Sequence, residues 1–268
     1  MKIIDGQALA AKIRDEVKQE VQRLKTKPKL NVLLVGDDPA SHLYVSLKQK
    51  AAEEVGIAVE IKKFPDPTLD GDLVDLLRQW SADDSVHAIL VQLPLPENND
   101  EARVLCAMDP KKDVDGFLPD SPSISPVHEG ILRLINETPL RVNGAKAALI
   151  VNSEIFAKPL ARLLTTAGMT VVVVRPDALD EQALLEADLV VIATGRAGFL
   201  RASKTKPTAV IIDVGTNKTA EGKTVGDVDM DSYQYTDAWI SPVPGGVGPM
   251  TIAQLLKNVV ALAKKEEE

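Results

Sequence analysis

The stretch AALIVNSEIFAKPLARLLTTAGMTVVVVRP, residues 147–176, holds a strand, a helix and a second strand in the order that decides the fold. Residues 147–151 and 170–174 are short, continuous apolar runs, which are typical of strands buried on both faces. Residues 157–167 between them are predicted to form a helix. Two strands joined by a helix favour a parallel pair, because the chain must cross back before the second strand begins.

The same alternation of helix and strand extends outward from this stretch in both directions. Continuous or alternating apolar runs predict the strands, and apolar residues spaced three and four apart predict the helices. The whole chain is therefore predicted to be an α/β protein with parallel sheets covered on both faces. The further predicted strands are 30–35, 57–63, 88–93, 189–193 and 209–214, and the further predicted helices are 9–24, 39–55, 69–81, 179–186 and 248–264.

The length of 268 residues predicts two domains, since single hydrophobic cores stop growing near this size. A stretch rich in Pro and Ser, residues 109–126, is the best candidate for the boundary between them. In open α/β sheets, ligands bind beyond the carboxyl ends of the strands. Gln92, Gly116, Gly195 and Gly215 each follow a strand-like run, so the chemistry is expected in the loops that contain them.

Composition and charge exclude several classes of protein. The formal net charge is −8, which argues against a surface for nucleic acid or anionic membrane. The single cysteine, Cys106, excludes an intrachain disulfide and is predicted to be a small core residue. No apolar run approaches the roughly 20 residues of a membrane helix, and the first apolar stretch stops at Asp5. A cytoplasmic protein is expected.

Tyr44, Lys48 and Gln92 are candidates for catalysis. Tyr44 and Lys48 are four residues apart on a predicted helix, so their side chains share one face. A lysine beside a phenol and an apolar wall can have a pKa low enough for proton exchange near neutrality. A lysine on a helix is more often a surface residue, however. Gln92 is an amide in an apolar strand, and it either bonds loop backbone or orients a neighbour such as Lys48.

Two further segments have unusual composition. KDVDGF, residues 112–117, places two carboxylates around a tight turn, which an ordinary Asx turn explains more simply than a metal site. PVPGGVGPMT, residues 242–251, has three glycines and three prolines and opens into the last helix. Such a constrained backbone at a helix start is suited to an anion or a polarised ring, so it favours a functional loop.

These segments together resemble one family, the bifunctional methylenetetrahydrofolate dehydrogenases/methenyltetrahydrofolate cyclohydrolases known as FolD. Matching motifs occur in the family's order over nearly the whole chain. They are VGDDPASHLYVSLKQKAAEEVGI (35–57), VQLPLP (91–96), KDVDGF (112–117), ATGRAGFL (193–200), DVGTN (213–217), GDVD (226–229) and PVPGGVGPMT (242–251).

The resemblance implies two α/β domains and a homodimer. A folate-binding domain would span residues 1–120 and be completed by the C-terminal helix, 247–268, and a Rossmann-like NAD(P)-binding domain would span 121–246. Tetrahydrofolate would be the substrate carrier and NADP the cofactor. The implied catalytic residues are Lys48, Tyr44, Gln92 and Asp115; the implied substrate-binding residues are Tyr44, Gln92, Leu93, Asp115, Pro244, Gly245 and Gly246; the implied cofactor-binding residues are Asn152, Ser153, Arg175, Thr194, Gly195, Gly215, Thr216 and Asp227.

The chain departs from the family pattern on the nucleotide side. The stretch that usually reads GRSxxVGxP is here VNSEIFAKP, residues 151–159, so both glycines and the arginine are replaced. We expect the Cβ of Val151 to obstruct the approach of a phosphate. Two alternatives stay open. Either Arg175 after the next strand rebuilds NADP binding, or the chain is a cyclohydrolase alone or a non-catalytic folate-binding relative.

Overall fold

A computed structural model describes residues 1–267 and gives the following elements in chain order. The strands are β1 (Lys2–Ile3), β2 (Lys29–Val35), β3 (Ala58–Phe64), β4 (Ala88–Val91), β5 (Lys146–Val151), β6 (Thr170–Val174), β7 (Leu189–Ala193), β8 (Val210–Asp213), β9 (Asn217–Lys218), β10 (Thr224–Val225) and β11 (Trp239–Ile240). The helices are α1 (Gly6–Val21), α2 (Pro39–Glu54), α3 (Asp70–Ala82), α4 (Glu101–Leu105), α5 (Pro126–Asn136), α6 (Glu154–Thr166), α7 (Glu181–Glu186) and α8 (Val247–Glu267).

The chain forms two compact units, which we call the three-stranded unit and the six-stranded unit after their main sheets. The three-stranded unit contains Ala10–Pro126 and the chain from Ile252 onward, and the six-stranded unit contains Met1–Leu9 and Val127–Thr251. Each has its own buried apolar core, as expected of a domain.

The three-stranded unit is built on a parallel sheet of order β3-β2-β4. All four residues of β4 are buried, which explains its continuous apolar sequence. Asp38 caps α2, since its side chain accepts a hydrogen bond from the Ser41 amide at 2.8 Å, and Pro39 occupies the first helical turn. The cap fixes the start of α2 and therefore the direction in which Lys48 leaves the helix.

The six-stranded unit is built on a parallel sheet of order β1-β11-β8-β7-β5-β6. β5 lies between β6 and β7, so the chain adds strands first on one side of β5 and then on the other. This reversal is the topological switch point at which doubly wound sheets bind ligands. The α/β fold with parallel sheets that the sequence predicts is confirmed.

The structure adds elements that the sequence did not predict. Helix α5 follows the Pro- and Ser-containing stretch directly, and β1 and β11 are two-residue strands too short for a periodic pattern. The last helix extends to Glu267, beyond its predicted end at residue 264, and Glu268 lies outside the described residues. The division into units also differs from the predicted 1–120 and 121–246, because β1 pairs with β11 and joins the first residues to the six-stranded sheet.

Candidate active site

Lys48 and Gln92 meet in the three-stranded unit. Lys48 lies on α2, one helical turn after Tyr44, and Gln92 directly follows β4. The Lys48 Nζ donates a hydrogen bond to Gln92 Oε1 at 3.0 Å. The Gln92 amide nitrogen donates to the Leu93 carbonyl at 2.6 Å, so the loop backbone orients the amide and the amide orients the amine. The two alternatives for Gln92, bonding loop backbone or orienting Lys48, are thus both realised.

The charge state of Lys48 depends on burial and on Asp115. Both residues keep some solvent exposure, but their ionisable ends are surrounded by protein atoms. Burial lowers the pKa of the Lys48 amine, and the Asp115 carboxylate opposes part of that shift. Burial likewise raises the pKa of the Asp115 carboxyl, against the attraction of Lys48. Desolvation, rather than the neighbouring phenol, is therefore the cause of the lowered lysine pKa.

Asp113 holds the turn that presents Asp115. It is fully buried, and its Oδ1 accepts hydrogen bonds from the Asp115 amide at 3.1 Å and the Gly116 amide at 3.0 Å. Its Oδ2 accepts from the Leu118 amide at 2.8 Å. Gly116 has φ +69°, and a Cβ there would lie 2.5 Å from the Ser123 carbonyl oxygen. Asp113 thus makes the expected Asx turn, and Asp115 is left free for other partners.

The second candidate region is the carboxyl edge of the six-stranded sheet, at the switch point. Asn152 follows β5 and Thr194 follows β7, and the Asn152 side-chain amide donates to the Thr194 carbonyl at 2.7 Å. Ser153 caps α6 by accepting a hydrogen bond from the Phe156 amide. Asn152, Ser153, Arg175, Gly195 and Thr216 are all exposed at the ends of their strands. A helix N-terminus beside exposed polar groups at a switch point suits a dinucleotide.

Asp227 does not face this edge, contrary to the expectation that it binds cofactor. It is fully buried, and its carboxylate accepts hydrogen bonds from the Thr194 amide and hydroxyl, the amides of Gly195 and Arg196, and the Asn217 side chain. With both oxygens engaged inside the protein, Asp227 positions the loop after β7 rather than contacting a ligand.

Gly215 is also structural. A Cβ on Gly215 would lie 2.2 Å from the Asp227 carboxylate, and one on Gly226 would lie 1.9 Å from that of Asp213. The Asp227 carboxylate therefore packs against Gly215, and the Asp213 carboxylate packs against Gly226. Asp213 accepts hydrogen bonds from three backbone amides, yet burial raises the pKa of its carboxyl to about 6. Close packing around buried carboxylates thus explains the glycine at position 215, and the expected contact of Gly215 with cofactor stays a prediction.

The residues that replace the family's glycines face the core. Val151 and Ala157 are 2% and 3% exposed, so their side chains pack inside the sheet and beneath α6. The burial of Val151 argues against the expected obstruction of a phosphate, which stays a prediction.

Two charged residues at this edge were not singled out from the sequence. The guanidinium of Arg196, after β7, bonds Asp177, after β6, at 2.5 Å. Arg175 is exposed at the end of β6. Lys158 is the main cause of the lowered pKa of the Glu154 carboxyl, and the charge of Arg175 is a smaller one. Asp177 lies just past β6, the second strand of the β5–α6–β6 unit. That position is the signal that could have found it, because an acid there contacts the ribose in many dinucleotide-binding sheets.

The glycine-rich loop belongs to the six-stranded unit. Pro244 is exposed, Gly245 has φ +108°, and Gly246 is buried. A Cβ on Gly6 would lie 2.2 Å from the Gly246 carbonyl oxygen, so the start of α1 packs against this loop backbone to backbone. The glycine at position 6 is therefore explained by packing. The contact of residues 244–246 with folate stays a prediction.

Other features bear on what the site can hold. Within residues 1–267, no group of three or more His, Cys, Asp or Glu side chains is arranged to bind a metal ion. No helix in that range has the length and apolar character needed to cross a membrane.

Cys106 is exposed at the end of α4, so the prediction that it is a core residue is wrong.

Comparison with known protein families decides the identity of the two units. Residues 4–115 match the catalytic domain of tetrahydrofolate dehydrogenase/cyclohydrolase, and residues 125–267 match the NAD(P)-binding domain of the same enzymes. The chain belongs to the tetrahydrofolate dehydrogenase/cyclohydrolase family. It is therefore an enzyme of folate one-carbon interconversion, with a catalytic domain followed by an NAD(P)-binding domain.

Individual members of the tetrahydrofolate dehydrogenase/cyclohydrolase family match along their whole length. The Bifunctional protein FolD of Lactococcus lactis is 41% identical, over 99% of this chain and 98% of that protein. The crystal structure of the bifunctional enzyme FolD from Campylobacter jejuni has a TM-score of 0.95 at 39% identity and covers 99% of each chain. The Trypanosoma brucei FolD, solved with NADP cofactor and inhibitor, has a TM-score of 0.93 at 30% identity, covering 99% of this chain and 98% of that one.

Proposed function

We propose that this enzyme carries both activities of its family, with cyclohydrolysis performed at Lys48 and oxidation of methylenetetrahydrofolate performed with NADP. The observation that carries the first is the hydrogen bond between Lys48 and Gln92, on an amine whose pKa is lowered by burial. The full-length match to bifunctional relatives favours both activities over cyclohydrolysis alone or simple folate binding.

In the proposed cyclohydrolase step, water adds to the cationic methenyl carbon that bridges two nitrogens of the folate. Neutral Lys48 takes a proton from that water while the carbon–oxygen bond forms. It then returns that proton to the departing ring nitrogen as the carbon–nitrogen bond breaks. The hydroxyl of the adduct loses its remaining proton to solvent and becomes the formyl carbonyl of 10-formyltetrahydrofolate. Gln92 holds the amine in place, Asp115 bonds the pterin ring, and Tyr44 and Leu93 border the substrate.

The lowered pKa of Lys48 favours this mechanism. Since the amine must be neutral to accept the proton, a lower pKa enlarges the competent fraction of the enzyme near pH 7. A positive charge held beside a cationic carbon would also oppose the substrate electrostatically. Burial of the amine removes both obstacles.

An Asp115→Asn variant tests this assignment of charge. Because the Asp115 carboxylate raises the pKa of Lys48, its neutralisation is expected to lower that pKa further. The acidic limb of the cyclohydrolase rate should then move to lower pH, although the rate itself falls through weaker pterin binding. The measurement is the pH profile of methenyltetrahydrofolate decay, with Asp109→Asn as the matched control. A limb that stays in place or moves to higher pH would contradict the proposed coupling.

For the dehydrogenase, the carboxyl edge of the six-stranded sheet fits a dinucleotide. The α6 N-terminus with Ser153, the exposed Asn152 and the open space around Gly195 offer donors and room at the switch point. NADP, when bound, accepts the hydride that leaves the methylene carbon. Asn152, Ser153, Gly195 and Thr216 would hold the dinucleotide, Thr194 would fix the loop through its bonds to Asp227, and Arg175 would add positive charge.

A two-part absorbance assay separates the possible functions. Methenyltetrahydrofolate is supplied first, and its decay is compared with the rate in buffer. Methylenetetrahydrofolate is then supplied with NADP, and formation of reduced cofactor is followed. We expect both signals. Decay of methenyltetrahydrofolate without reduction of NADP would show that the enzyme is a cyclohydrolase alone. Absence of both signals would show that it is a non-catalytic folate-binding relative.

The proposed assembly is a homodimer whose interface covers the β6 edge. The proposed location of the enzyme is the cytoplasm. β6 is the last strand of the six-stranded sheet, and its Val172 and Val173 are 41% and 47% exposed. An exposed apolar edge strand is prone to pair with another chain, so a second copy of the same strand is a natural partner. The single cysteine supports a reducing compartment.

Replacing Val173 with lysine should break this assembly. A charge on the edge strand opposes pairing with another copy, so Val173→Lys is expected to be monomeric. The measurement is molar mass by light scattering during size-exclusion chromatography. Leu69→Lys, an equally drastic change at a side chain in the other unit that is 76% exposed, should leave the mass unchanged. An unaltered dimer in Val173→Lys would exclude the β6 edge.

A further inference from the structure

The ion pair between Asp177 and Arg196 lies where the sheet would meet the ribose of a dinucleotide. Asp177 is in the tight turn after β6, closed by a hydrogen bond from the Ala178 amide to the Arg175 carbonyl at 3.0 Å. Arg196 is in the loop after β7. In doubly wound sheets, an acid past the second strand bonds the ribose 2′-hydroxyl of NAD, whereas an arginine near that position receives the 2′-phosphate of NADP. This chain has both groups at one place, in contact.

We propose that the Asp177–Arg196 pair sets the choice between NADP and NAD, with Arg196 receiving the 2′-phosphate and Asp177 competing with that phosphate for the guanidinium. The inference rests on the dinucleotide binding proposed above and deepens it. Asn152 stands where the family pattern has an arginine, so that positive partner for the 2′-phosphate is missing. In this proposal, Arg196 supplies the positive charge instead, and the choice between NADP and NAD depends on the Asp177–Arg196 pair.

The position of Arg196 does not depend on Asp177. The Arg196 backbone amide bonds the buried Asp227 carboxylate at 3.0 Å. Its guanidinium also lies over the Phe199 ring, 5.5 Å from the ring centroid, which is the range of a cation–π contact. The first contact fixes the backbone of Arg196, and the second holds its guanidinium. An incoming phosphate would find the guanidinium already in place.

The exposure of the pair makes exchange of partners feasible. The side chains of Arg196 and Asp177 are 44% and 71% exposed, so the ion pair is open to solvent and individually weak. A phosphate with more than one negative charge offers several acceptor oxygens to the planar guanidinium. The ribose hydroxyl of NAD offers no such charge, so NAD leaves the Asp177–Arg196 pair intact.

Binding measurements on the whole enzyme test the inference without use of its activity. Isothermal titration at fixed ionic strength gives the Kd for NADP and for NAD in each variant. Arg196→Gln is expected to weaken NADP binding by about tenfold or more, since a charge-assisted bond to phosphate is lost, and to change NAD binding by less than about twofold. Asp177→Asn is expected to tighten NADP binding by about threefold to fivefold, because a competitor for the guanidinium is removed.

Arg201→Gln is the matched control. Arg201 is also exposed, and its Nε pairs with Asp229 at 3.1 Å, so the variant removes an equal charge from an equal kind of ion pair. It should leave the ratio of the two Kd values unchanged. Equal effects of Arg196→Gln on NADP and NAD, or an unchanged ratio in Asp177→Asn, would overturn the inference alone. A wild-type enzyme that binds neither dinucleotide would overturn the proposed dehydrogenase function and this inference with it.

Discussion

A Lys48→Met variant is expected to lose cyclohydrolase activity by about a hundredfold to ten-thousandfold, which is the range that a positioned general acid–base supplies. Methionine keeps most of the volume and apolar contact of the lysine stem but cannot accept the proton of the attacking water. The measurement is the decay of methenyltetrahydrofolate above the buffer rate. Reduction of NADP with methylenetetrahydrofolate should be less affected, since no water is activated in that step.

Lys50→Met is the control for this variant, because Lys50 is exposed on the same helix and two positions along it, on another face. It should hydrolyse the substrate at the wild-type rate. Thermal unfolding of both variants checks that folding is unchanged. If Lys48→Met retained the full rate of hydrolysis, Lys48 would not be the general base and the proposed mechanism would fail.

The second large effect is expected for Asp227→Ala. The variant removes the acceptor of five hydrogen bonds at a residue that is 0% exposed, and it leaves buried amides of the loop after β7 without partners. A buried donor that loses its acceptor typically costs about 1–3 kcal/mol in the free energy of unfolding, and several donors lose theirs here. We expect a fall in thermal stability of the six-stranded unit together with loss of dinucleotide binding.

Urea unfolding followed by circular dichroism measures this loss. Asp231→Ala is the matched control, since Asp231 is an exposed aspartate of the same unit whose carboxylate accepts one bond, from Gln234 at 3.1 Å. A surface change of this kind should alter the free energy of unfolding by less than about 0.5 kcal/mol. Equal stabilities of the two variants would show that the Asp227 network contributes nothing to the fold.

The sequence predicted the elements whose pattern is long and continuous. β2, β5, β6 and β7 agree with the predicted strands to within one residue, because an apolar run bounded by polar residues marks both ends of a buried strand. β1 and β11 have two residues each and no pattern to recognise, although they complete the six-stranded sheet. Helix α5, Pro126–Asn136, begins where the predicted boundary stretch ends and is a further element that the sequence analysis does not predict.

The site was predictable where neighbouring elements fix a contact. Lys48 and Gln92 follow from the helix face and the strand end, and the structure joins them at 3.0 Å. The roles of Asp113 and Asp227 were not predictable, because a motif such as KDVDGF or GDVD does not reveal which carboxylate is turned inward. That distinction depends on contacts with distant backbone, such as the bond from the Thr194 amide to Asp227.

The path of the chain between the two units has a consequence for how this enzyme could be divided. The chain passes from one unit to the other after Leu9, after Pro126 and after Thr251, and the first and last of these points lie inside helices α1 and α8. No single cut therefore yields a complete half. A gene fragment for residues 127–251 would encode a sheet whose β11 edge lacks the β1 strand, so independent production of either half would require a rearranged order of segments.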